Sequence, residues 1–61
     1  MNLQDLKQMQ IELMRISYSI TKIKNSKQII STFRWIDIFE KRFGCAEVAS
    51  ELKSELREVR L

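Results

Sequence analysis

Cys45 is the only thiol in this chain and there is no histidine, so the side chains that most often build nucleophilic, zinc or haem chemistry are absent or alone. A helix starting at Gly44 would lower the Cys45 pKa somewhat, but no neighbouring base stands ready to take its proton, and its spacing reads as a small buried side chain. Glu40 borders an apolar helix face without a second carboxylate, which makes it a solvated edge and not a general acid. The pattern predicts no catalytic residue, no metal site and no cofactor. The chain is expected not to be an enzyme.

Binding chemistry has more to work with. Lys22, Lys24 and Lys27 crowd a predicted turn, where they complement helix dipoles and where the free amides of the next helix would also welcome a phosphate. Arg34 sits between Phe33 and Trp35, and Lys41 and Arg42 sit between Phe39 and Phe43, which imitates the basic and aromatic interleaving of nucleic-acid binders. At helical spacing the phenylalanines share one face and the cations lie elsewhere, so the rings read as core and not as stacking platforms. An alternative function survives, in which Lys22, Lys24, Lys27 and Arg34 of a small basic dimer line up along a phosphate backbone and bind with steep salt dependence.

The elements that carry these residues follow from composition. One glycine, no proline and a dominance of Leu, Ile, Glu, Lys, Gln, Met and Arg make an all-α chain. Sixty-one residues allow a single domain, 1–61, and a chain of this length buries only about 60% of its unfolded surface, so a second subunit is the expected staple. No apolar run is long enough for a membrane span or a signal peptide, and a reducing cytoplasm is the expected location. The net charge of +3 is uneven: residues 1–44 carry eight Lys/Arg against four Asp/Glu, and residues 45–61 carry three against four.

The first helix is expected over about residues 2–24, with Asn2 as N-cap. Leu6, Met9, Leu13, Ile16, Ile20 and Ile23 recur at steps of three and four, and Ile11, Met14 and Tyr18 do the same about 180° away. A helix with two apolar faces needs more cover than one short chain easily gives. Asn25 with Gln28 forms a capping-box pattern that starts a second helix and closes an antiparallel hairpin. Ile29, Phe33, Ile36, Phe39 and Phe43 line its inner face, Trp35 sits at the edge, and Asp37 and Lys41 are spaced to pair outside.

Gly44 then shifts the register to Cys45, Ala49, Leu52, Leu56 and Val59. Cys45 is a poor N-cap, which favours a second helix running from about residue 26 to 60, kinked or broken at Gly44, over a closed three-helix bundle. The overhanging tail would expose Ala49, Leu52, Leu56 and Val59 as a seam for another chain. Like-charged neighbours four apart, such as Glu47 and Glu51, would be relieved between two helices, with Glu55 and Arg60 at the g and e positions of a coiled coil. A homo-oligomer, most simply a helical-bundle dimer, is the expected state.

The stretch Ala46 to Leu52 resembles the first helix of a helix-turn-helix, but the glycine that pattern wants four residues after Ala49 is Lys53. In general shape the chain is similar to small dimeric hairpin proteins of plasmids and phages, with no residue carried across. The expected function is a small protein-interaction module, a regulator, antagonist or assembly adaptor. It would act through Ile11, Met14 and Tyr18 on one surface and Ala49, Leu52, Leu56 and Val59 on another, with a protein partner and no membrane.

Overall fold

The computed structural model describes residues 2–61, which are all-helical apart from short connections: α1 (Leu3–Thr21), α2 (Ser26–Phe43) and α3 (Ala46–Arg57). The Asn2 side chain accepts the Asp5 amide at 2.8 Å, so α1 begins at its expected cap. It ends three residues earlier than the periodicity suggested. The amides of Lys22 and Ile23 reach back only three residues, to Ser19 and Ile20, and the Thr21 hydroxyl donates to the Tyr18 carbonyl at 2.6 Å. That tightening closes the last turn. Asn25 caps α2 as expected, the Gln28 amide donating to Asn25 Oδ1 at 2.9 Å, while the return bond is displaced by one residue: Gln28 Oε1 accepts the amide of Lys24, the residue before the cap.

Gly44 ends α2 in the left-handed region at φ 65°, its amide bonded to the Glu40 carbonyl at 2.7 Å. This is a C-terminal glycine cap, and it turns the chain back on itself. The break expected at Gly44 is therefore a full reversal, and the stretch from residue 26 to 57 forms two helices joined through Gly44 and Cys45, compatible with the three-helix alternative. Cys45 makes no side-chain cap bond, as its chemistry implies, yet α3 starts regardless. Burial outweighs the poor cap: Ala49, Leu52 and Leu56 are 0%, 3% and 1% exposed. They close a core with Ile16 and Ile20 of α1 and Ile36 and Phe39 of α2. Burying Leu52 or Leu56 contributes about 1.5–3 kcal/mol each, against about 1 kcal/mol for a good cap.

Met9, Leu13, Ile23, Ile29, Phe33 and Phe43 pack around that centre, and Phe43 tilts against Phe39 with ring centroids 5.3 Å apart. Leu6 belongs to the core-facing stripe by spacing but is exposed, because α2 ends beside Asp5 and Gln8 and leaves this turn at the open end of the bundle. Thr32 is the one buried polar residue among those described, and its hydroxyl donates to the Gln28 carbonyl at 2.7 Å. Asp37 does not take Lys41 as partner. Its carboxylate lies 2.7 Å from Lys53 of α3, which also approaches Glu40 at 3.8 Å. The Asp37 bond, only partly offset by desolvation, holds the Lys53 pKa above its ordinary value. This bridge ties α3 to α2 across the turn.

Candidate functional site

Helices α2 and α3 together cover the inner side of α1 and leave its outer side bare. Leu3, Ile11, Met14 and Tyr18 are 68%, 43%, 71% and 65% exposed. At 100° per residue they fall within about 80° of one another, directly opposite Ile16 and Ile20. The stripe runs about 22 Å along the helix at 1.5 Å per residue. Exposed Leu or Ile residues scattered singly are ordinary, whereas these four large apolar side chains are aligned along one side of α1.

Charge around the stripe is one-sided. Lys7, Arg15 and Lys22 lie within or beside the same arc and are exposed. Lys22 sits over the Tyr18 ring, its Nζ 5.3 Å from the centroid. The two carboxylates of α1 point elsewhere. Asp5 belongs to the first turn, where an acid suits the dipole, and Glu12 accepts Trp35 Nε1 at 3.2 Å with Arg15 at the loose distance of 3.9 Å. The Trp35 to Glu12 bond also pins α2 to α1. Beyond it, Tyr18, Lys22, Ile23, Thr32 and Trp35 border an open groove of about 290 Å3 between the two helices.

No protein-family model, curated protein or solved structure matches the chain. The surface itself carries the argument.

Of the residues singled out by sequence, Ile11, Met14 and Tyr18 stand together on the α1 surface, free of the third helix that might have buried them. Ala49, Leu52 and Leu56 do not form an exposed seam. They are core, Val59 packs against that core partly buried, and the coiled-coil register of the tail faces the chain's own helices. The seam is filled because Gly44 folds α3 back. Lys22 and Lys24 lie in the first turn region and Lys27 in the first turn of α2, all exposed. Arg34 is a further two turns along α2. Lys27, Arg34 and Lys41 recur every seven residues and so form one row on its outer side, with exposed Ile30 and Ile38 flanking it.

The outer face of α2 was missed as a unit because its isoleucines are isolated between cations; counting residues seven apart would have found it. Cys45 is half-buried, and burial raises its thiol pKa, outweighing its own backbone amide, with Glu40 adding to the rise. Its place at the start of α3 does not offset that rise. Among the described residues no group of Cys, Asp and Glu is placed to hold a metal ion, and no helix is long and apolar enough to cross a membrane.

Proposed function

We propose that this chain is a non-enzymatic protein-interaction module whose docking face is the outer side of α1, centred on Ile11, Met14 and Tyr18. One observation carries the reading: the fold closes its core without these residues, yet keeps them large, apolar and aligned. Met adapts to an irregular partner surface, and Tyr couples a broad ring to a polar tip, which is the chemistry of interface anchors. A module this small would act by occluding or scaffolding what it binds, as a regulator, antagonist or assembly adaptor. A second copy is one occupant of the face, although the tail no longer argues for it.

A photo-crosslinking residue at position 14, compared with one at Ser54 on α3, tests the face in the cells that make the protein. A discrete crosslinked species from position 14 and none from position 54 is the expected result. Equal labelling from both positions, or none from either, would remove the docking face.

The row Lys27, Arg34 and Lys41 favours a second reading, in which the outer side of α2 meets a phosphate backbone together with Lys22 and Lys24. It predicts duplex binding that falls steeply with salt and weakens on Lys27→Ala. Docking on α1 is instead lost on Tyr18→Ala and indifferent to Lys27→Ala.

A further inference from the structure

We propose that the occupant of the α1 face is an acidic amphipathic helix of another protein, its apolar seam on Ile11, Met14 and Tyr18 and its carboxylates on Lys7, Arg15 and Lys22. The inference rests on the docking reading above and adds the partner's chemistry. The stripe is one ridge wide; its Ile11 to Tyr18 seam is about two turns long, and with Leu3 beyond Lys7 it reaches about four, the footprint of a single helix laid along it. Arg15 and Lys22 flank it on one side, Lys7 sits within it, and Gln10 and Ser17 on the other side are uncharged; Glu12, engaged by Trp35 and 3.9 Å from Arg15, does not serve these cations fully. Burying an apolar seam there brings the three cations against the partner's rim. A basic or neutral rim would leave them repelled or unpaired.

The other occupants fit less well. Two α1 faces laid together place Lys7, Arg15 and Lys22 against their own counterparts. A second copy could offer Glu47, Glu51, Glu55 and Glu58, all exposed, but the outer side of α3 that bears them has no large exposed apolar side chain to cover Met14 and Tyr18. A phosphate backbone would satisfy the cations and leave the stripe in water.

The test uses two synthetic helices of about 18 residues with the same leucine seam at helical spacing, one flanked by glutamates and one by lysines, titrated into the whole protein. Duplex DNA and anionic phosphatidylglycerol vesicles are titrated in parallel. The glutamate helix is expected to bind about tenfold more tightly than the lysine helix. That preference should reverse in favour of the lysine helix in the variant Lys7→Glu, Arg15→Glu, Lys22→Glu, and binding itself should vanish with Met14→Asp, circular dichroism confirming that both variants fold. Equal affinity for the two helices, binding of neither, or tighter binding to DNA or vesicles through the α1 residues would each overturn the proposal. Crosslinking from position 14 alongside no preference for the acidic helix would retire this partner and leave the docking face standing.

Discussion

At the scale of single residues, the side chains with reactive potential are the ones the fold keeps quiet. Cys45 sits half-buried at the start of α3 with its pKa pushed up by burial, so little thiolate forms near neutrality. Alkylation by iodoacetamide at pH 8 should be slower than that of an unstructured cysteine peptide and should reach the peptide's rate in denaturant; an equal or faster native rate would mean the thiol is activated. Caps were legible residue by residue, because Asn2 and Asn25 act on amides three positions away and their chemistry is local. Pairing was not. Asp37 has Lys41 at helical spacing, but Lys53 reaches it from another element at 2.7 Å, a contact that no single-helix rule contains. The exposure of Ile11, Met14 and Tyr18 was likewise undecided by spacing, since a third helix could equally have buried them.

At the scale of elements, the decisive residue is Gly44. Its φ of 65° is one that residues with a Cβ avoid, while nothing lies within 4 Å of where a Cβ would be. Gly44→Ala therefore costs backbone strain alone, about 1–2 kcal/mol, and Gly44→Asn costs less because Asn tolerates the left-handed region. Urea unfolding of the pair should show that order; equal stability of Ala and Gly would mean the turn is not left-handed. Sequence reasoning set the cost of a poor cap at Cys45 against the signal of a lone glycine and favoured a second helix kinked or broken at Gly44 over a third helix folded back as a closed bundle. What it could not weigh was the gain from burying Ala49, Leu52 and Leu56 within the same chain, which exists only once α3 has folded back. The starts of α1 and α2 were readable from their asparagine caps, and the start of α3 and its path back onto α2 were not.

At the scale of the whole molecule, the division of labour is between a core shared by three helices and an outer surface that the core does not need. The four fully buried large side chains, Phe39, Ile16, Ile36 and Leu56, come from all three helices, so α3 shares the core of α1 and α2. Leu56→Ala should cost about 2–5 kcal/mol, enough to unfold much of a domain this small, whereas an overhanging tail would lose association at little cost to the hairpin. Thermal unfolding by circular dichroism separates the two. Charge is divided in the same manner, with cations along α1 and α2 and the free glutamates on α3.

The most direct measurement is the urea midpoint of Met14→Asp against the parent chain. If the α1 stripe lies outside the folding core, placing a charge at its centre should shift stability by no more than about 0.5 kcal/mol, with the slope unchanged. A loss of about 2 kcal/mol or more would mean that Met14 is buried in the folded protein, and the face assigned to a partner would belong to the fold instead.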